Sequence, residues 1–277
     1  MTHVRLMGGL GNQLFQLAAG LHLQQELGLP VRWDRSWFRE PAAGDTHRHL
    51  ELDGVVPRRQ LSGGSRWAAR LAWSGRNPRL LRERGPHHDL LASSEVDRHS
   101  WLEGYFQFGT YPVQVEATLA ELLRPRLGGA AGQCGPDDVA VHVRLGDYHA
   151  NPVTRRHHGL LEPDWFRRAL GLVPDVGERR LVVFTDSPDV FEEEYAASLP
   201  GRHVVSPTQT AWDTLDEMSR CGTIVMSNSS LSWWAAFLAR TRHPGGAEVL
   251  HPVPWFAEPG AADQHMPLDS WTAVPRD

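Results

Sequence analysis

The chain has 277 residues, of which 41% are hydrophobic and 22% charged; this is the composition of a folded protein of one large or two medium domains, and it excludes disordered and collagen-like classes. All 28 basic residues are arginine, which rules out lysine-dependent chemistry such as Schiff-base catalysis or a P-loop, but leaves phosphate binding by guanidinium forks open. The net charge of −5 argues against general binding to nucleic acid or anionic membrane.

The first elements read as strand, glycine turn, helix and strand. His3 to Met7 is a strand candidate, and Gly8-Gly9-Leu10-Gly11 the turn. From Asn12, the apolar residues Leu14, Leu17, Ala18 and Leu21 recur at helical spacing. Gly28 and Pro30 end that helix, and Val31-Arg32-Trp33 begins a second strand. Residues 39 to 100 read as irregular, and Leu127 to Pro136, rich in Gly and Ala, as a linker. A second α/β series follows: strand Val139 to Val143, helix Asp164 to Leu172, strand Leu181 to Thr185, helix Trp212 to Cys221, strand Thr223 to Met226, helix Leu231 to Arg240, and Glu248 to Leu250 as the last strand. Such alternation predicts parallel sheets covered by helices. The expected architecture is α/β with two Rossmann-like domains facing across a cleft, 1–128 and 129–277. The longest apolar run near the C-terminal third, Trp233 to Ala239, is far shorter than the roughly 20 residues of a membrane span. With no signal peptide apparent at the amino end, a cytoplasmic location is expected.

Parallel sheets bind ligands beyond the carboxyl ends of their strands, and four such places stand out. Gly8 to Gln13 is a glycine turn whose backbone allows close approach of a phosphate or sugar. As a dinucleotide fingerprint it fails at its third position, where Leu14 replaces Gly or Ala. In Val139-Ala-Val-His142-Val-Arg144-Leu-Gly146-Asp147, a strand delivers His142 and Arg144 to one face at its end, and Arg144 could clamp a diphosphate or pair with Asp147. Asp186, after Phe184-Thr185, could accept from ribose or base, or cap the next helix. Ser227-Asn228-Ser229-Ser230-Leu-Ser232-Trp233-Trp234 opens a helix with four serines, more than a cap needs. The pairs His47/His49, His87/His88 and His157/His158 lack ligands at metal spacing and read as surface residues. Cys134 and Cys221 form no C-x-x-C, so neither a zinc site nor a disulfide framework is indicated. Asp-x-Asp is absent from the sequence, so no metal or other cofactor is expected, and arginine and helix N-termini are left to neutralise a diphosphate.

Taken in order, these stretches resemble the α-1,2-fucosyltransferases. The match comprises Gly8-Gly9-Leu-Gly11-Asn12-Gln13-Leu-Phe15-Gln16, Gly104-Tyr105-Phe106-Gln107, Val141 to Tyr148, and Ser227 to Ala236. Asp216 to Cys221 and Pro254-Trp255-Phe256 fit as well. The resemblance implies a GT-B glycosyltransferase that needs no metal and moves L-fucose from GDP-fucose to the 2-hydroxyl of a galactose-containing acceptor, with inversion. It implies an acceptor-side N-terminal domain and a donor-side C-terminal one. Arg144 would bind the donor diphosphate, with Ser229, Ser230 and Ser232 adding contacts. His142, Asp186 and Gly11 belong to the same donor group, with Asp186 near the nucleoside, and Asn12 of that group would lie near the fucose or acceptor from the other domain. For the proton of the acceptor hydroxyl, Asp147, Asp34 and Glu103 are the candidates. The family commonly carries a second arginine where this chain has Leu145, and Phe108 to Tyr111 replaces a more polar run. A GDP-sugar transferase with another sugar or acceptor, or an inactive sugar-nucleotide-binding module, are the alternatives.

Overall fold

The structure, a computed structural model, describes residues 1–39, 48–85, 88–128, 134–146, 152–208, 210–243, 245–257 and 265–277. The chain divides into two compact units, Met1–Arg126 and Leu127–Asp277.

In the first unit, β1 (Thr2–Arg5) runs into α1 (Leu10–Gln25) and then β2 (Val31–Asp34). The stripe beginning at Leu14 is the reason α1 forms where it does: Leu14, Leu17 and Ala18 are fully buried against the sheet. Gly20 lets the helix lie on Trp33, since a Cβ there would stand 2.6 Å from the indole. The stretch read as irregular holds β3 (Leu61–Ser62), α2 (Arg66–Ala72) and β4 (Leu80–Arg82), and β5 (Trp101–Glu103) follows it. Strands of two or three residues leave too short a hydrophobic alternation to be seen in sequence. The five strands are parallel, in the order β3-β2-β1-β5-β4. The order reverses between β1 and β5.

The second unit is a six-stranded parallel sheet in the order β11-β10-β9-β6-β7-β8. Its strands are β6 (Val139–Val143), β7 (Leu181–Thr185), β8 (His203–Val205), β9 (Thr223–Val225), β10 (Glu248–Val253) and β11 (Thr272–Pro275). Counted from β6, this is the doubly wound Rossmann order, reversing between β6 and β9. Two expectations are corrected here. Glu248 to Leu250 is not the last strand: β10 continues to Val253 and pairs with β11, Val253 opposite Pro275. Pro252 and Pro254 hid that extension, because prolines read as strand ends. β8 was also missed, being three residues long and only partly buried.

The core pair β6 and β7 is buried on both faces up to its carboxyl end, as a sheet covered by helices on both sides requires. Val139, Val141, Val143 and Leu145 share one core with Trp165, Phe166 and Leu170 of the helix Pro163–Leu170. Asp216, in the helix Ala211–Met218, is the unit's charged hub. Buried, it accepts from Arg220 Nη2 at 2.9 Å, Arg242 Nη2 at 2.6 Å and Gly128 N at 2.9 Å. The motif around Asp216 is thus a fastening for the first residues of this unit. Among the described residues, no helix is long and apolar enough to cross a membrane.

Candidate functional site

In the second unit, three polar segments leave the carboxyl ends of β6, β7 and β9, and the strand order reverses between β6 and β9. His142, on β6, is 4% exposed. Its Nδ1 lies 2.8 Å from Ser227 Oγ, which follows β9, so one hydrogen bond bridges the crevice between the two strands. Burial, helped by the charge of Arg144, lowers the imidazole to about 4, so His142 is neutral at ordinary pH.

One residue beyond β6, the Arg144 guanidinium pairs with Asp186 Oδ2 at 2.8 Å. Asp186 comes from the end of β7 and does not cap the helical turn that follows it; Ser187 takes that position. Its Oδ1 instead accepts from Leu145 N at 2.9 Å and Gly146 N at 3.1 Å. One carboxylate therefore shapes the turn after β6 and aims its arginine. A Cβ on Gly146 would stand 2.2 Å from Asp186 Oδ2, so this turn needs glycine there. Leu145 points the other way: it is fully buried in the unit's apolar core. Asp147 lies outside the described residues.

The helix Ser230–Arg242 begins just after β9. Ser229 caps it, its Oγ accepting from Leu231 N at 3.3 Å. Ser230 is half-buried at the first turn. Ser232 is fully buried, and its hydroxyl donates to Ser227 O and Ser229 O at 3.1 and 3.0 Å. Its proton is used inside the turn, so Ser232 shapes the helix start rather than offering a hydroxyl to a ligand. Asn228 does the same from the other side, its Nδ2 donating to His158 O at 2.7 Å. Trp233 and Trp234 are fully buried, which anchors the helix whose first turn carries the serines. The serine-rich sequence is thereby explained as a cap, two turn braces and one half-exposed residue, Ser230.

In the first unit, the corresponding reversal is bridged by amides. Gly8 has φ +76°, a conformation that favours glycine, and turns the chain into α1. Gly11 is buried within the first turn of α1. Asn12 Oδ1 accepts from Gln107 Nε2 at 2.9 Å, joining the segments after β1 and β5. Gln13 is buried and donates to Gly8 O and His49 O, while its Oε1 accepts from Glu51 N. Gln16, also buried, accepts from Met7 N and donates to Gly104 O. The glycine-asparagine-glutamine block is thus a set of backbone clamps around one partly exposed amide, Asn12.

Two of the three carboxylates considered as bases, Asp34 and Glu103, are engaged elsewhere. Asp34 is buried and accepts from Ser36 N, Ser36 Oγ, Trp73 Nε1 and Ser62 Oγ. Glu103 is paired with Arg5 and Arg82. The sequence reading missed Glu83, which immediately follows β4. Its Oε2 accepts from Tyr105 N at 2.7 Å and Phe106 N at 3.2 Å, holding Phe106 at φ +51°, a strained value for a bulky residue. Burial raises its carboxyl from 4.5 to about 7, so it exchanges a proton near neutral pH. Only the register of β4 with β5, Arg82 opposite Glu103, reveals the placement.

Of the histidines expected at the surface, His49 is exposed, whereas His88 is half-buried and His157 and His158 pack on Phe256 with ring centroids 5.0 and 5.6 Å away. His47 and His87 lie outside the described residues. Among the described residues, no group of three or more His, Cys, Asp or Glu is placed to hold a metal ion.

The described crevice thus holds a cation and a helix N-terminus at the reversal point of a parallel sheet, the place where open α/β sheets in general take their ligands. The model of Glycosyl transferase family 11 matches residues 86–272, and the chain belongs to that family. The resemblance read from the motifs is upheld at that level, and the activity class is that of a glycosyltransferase. Over 301 residues the chain is 27% identical to the O-antigen biosynthesis glycosyltransferase WbnK of Escherichia coli, covering 96% of this chain and 98% of that protein. It is 24% identical to an alpha-1,2-colitosyltransferase of Escherichia coli, over 91% of both chains. Among solved structures, the fucosyltransferase NodZ from Bradyrhizobium is similar with a TM-score of 0.44 and 14% identity, over 86% of this chain and 91% of that one.

Proposed function

We propose that the protein transfers L-fucose from GDP-fucose to the 2-hydroxyl of a galactoside, with inversion at the anomeric carbon and without a metal ion. The observation that carries this reading is Arg144, held by Asp186 at the carboxyl end of β6 beside the first turn of the helix Ser230–Arg242. An inverting transfer has two needs that a protein can meet. The leaving nucleoside diphosphate must be stabilised as charge builds on it, and the acceptor must be aligned on the opposite face of an oxocarbenium-like sugar. Arg144 and the N–H groups of the helix start supply the first, because both are fixed before the reaction and cost no reorganisation when charge develops. Asp186 keeps the guanidinium aimed, and a guanidinium is the group whose planar fork matches phosphate oxygens. His142, neutral and tied to Ser227, keeps the floor of the site polar without adding a second positive charge. Asn12 and Gly11 are assigned to the sugar side of the reaction, where an amide suits hydroxyl groups.

The relative named as a colitosyltransferase favours one second reading, in which the GDP-activated sugar is a deoxysugar other than fucose. Both readings are tested by one assay: transfer from GDP-fucose and from GDP-colitose to lactose-type acceptors, with product linkage read by NMR. Arg144→Ala is expected to lower turnover by about a hundredfold or more, the range for losing one donor to a developing charge, with the far-UV spectrum unchanged. Near-normal turnover in that variant would overturn the assignment.

A further inference from the structure

The charge of the chain is distributed very unevenly. Between residues 58 and 84 there are eight arginines and a single acid, Glu83, in a protein whose net charge is −5. All eight arginines are exposed. Glu83 is turned inward to Tyr105 and Phe106, and among the eight, Arg82 shares Glu103 with Arg5. Through the middle of this segment runs α2, which has no buried residue. Trp67 and Leu71, four residues apart and so on one face of it, are 76% and 63% exposed. Arg66 and Arg70 form the neighbouring row. Beside them lies a cavity of about 220 Å³ whose lining includes Arg5, Arg39, Arg66, Arg70, Ser36 and Trp73.

We propose that this face of the first unit docks on an anionic lipid bilayer. Trp67 and Leu71 enter the interface, the surrounding arginines meet lipid phosphates, and the arginine-lined cavity receives one headgroup phosphate. Two observations select a lipid surface over a polyanion such as nucleic acid. A polyanion is matched mainly by charge, and even a single strand whose bases could stack on the indole has no use for an exposed leucine beside it on the same helix face. Aromatic and aliphatic side chains flanked by arginine are the pattern of a helix lying in the membrane interface, the indole at headgroup depth and the guanidinium stems stretched toward the phosphates. With only two turns of helix and two apolar anchors, attachment is peripheral, and it depends on the leaflet's charge, each arginine near the surface adding to it.

The test is co-sedimentation of the full chain with vesicles of phosphatidylcholine alone, or of phosphatidylcholine mixed with phosphatidylglycerol, at low and high salt, with heparin as competitor. Partition is expected only onto the anionic vesicles and is expected to fall with salt. Replacing both anchors, Trp67→Ser with Leu71→Ser, is expected to lower the partition coefficient by about tenfold or more. Arg76→Gln and Arg79→Gln are expected to cost about fivefold each. These side chains are exposed, so the variants should keep the wild-type far-UV spectrum and the wild-type transfer to a water-soluble acceptor. Absence of partition onto anionic vesicles would overturn the proposal. So would partition that the double serine variant leaves unchanged while heparin abolishes it, because the face would then be a general polyanion surface.

Discussion

The two units solve the same topological problem with different chemistry. Each is a parallel sheet whose strand order reverses once, and at each reversal a side-chain pair bridges the segments leaving the two strands. In the first unit that pair is Asn12 with Gln107, backed by the buried amides of Gln13 and Gln16. In the second it is His142 with Ser227, backed by Arg144 and Asp186. Amides hold loops without bringing charge into the crevice, whereas an arginine held by a carboxylate keeps a cation where an anion can reach it. Of the two described crevices, it is the second unit's that carries a cation. The contrast also explains why the glycine motif, a phosphate cradle in many folds, here serves mainly to clamp backbone.

The sharpest way to break this contrast is to add charge where the second unit keeps an apolar wall. Leu145→Arg would place a second guanidinium beside Arg144 in sequence, but position 145 is fully buried in the core. The variant is expected to lose about 4 kcal/mol of stability, read as a drop in the urea midpoint, with no gain in GDP binding. A stable variant with tighter GDP binding would show that Leu145 faces the ligand.

A smaller effect separates the units by pH. Burial raises Glu83 to about 7 from 4.5, so its contribution to the first unit is complete below 4.5 and is lost as pH rises through about 7. Burial lowers His142 to about 4 from 6.5, so its contribution to the second unit is complete above 6.5 and is lost as pH falls through about 4. Each amounts to about 3 kcal/mol across its full range. Hydrogen exchange, corrected for intrinsic rates and compared at about pH 5 and about pH 7.5, should show the first unit better protected in acid and the second in neutral solution. Glu83→Gln and His142→Gln should each flatten the response of their own unit. Parallel behaviour of the two units would contradict the account.

Much of the second unit was legible in the sequence because its central strands are buried on both faces and read as continuous apolar runs, as in Val139 to Val143 and Leu181 to Thr185. The places of His142 and Arg144 at a strand end and of Ser229 at a helix start were equally legible, since such ends announce themselves. The geometry of partnership was not. The described ion pair of Arg144 is with Asp186, 42 residues away and brought to it by the parallel pairing of β6 with β7, a contact that sequence proximity does not announce. Ser232 looked like a ligand contact because a hydroxyl in sequence carries no sign of its direction. Glu83 was invisible for the opposite reason: it follows a three-residue strand in a segment without periodicity. Net charge concealed the basic face around α2, because an average over the chain cancels a cluster against distant acids.

The central claim is that the second unit holds a nucleoside diphosphate through Arg144. Titration calorimetry with GDP, UDP and NAD, in the presence of EDTA and with Arg144→Ala beside the wild type, tests it most directly. The account predicts binding of GDP but not of UDP or NAD, independent of metal, and weakened by about a hundredfold in the variant. Binding of NAD, or GDP binding that survives the loss of Arg144, would contradict it.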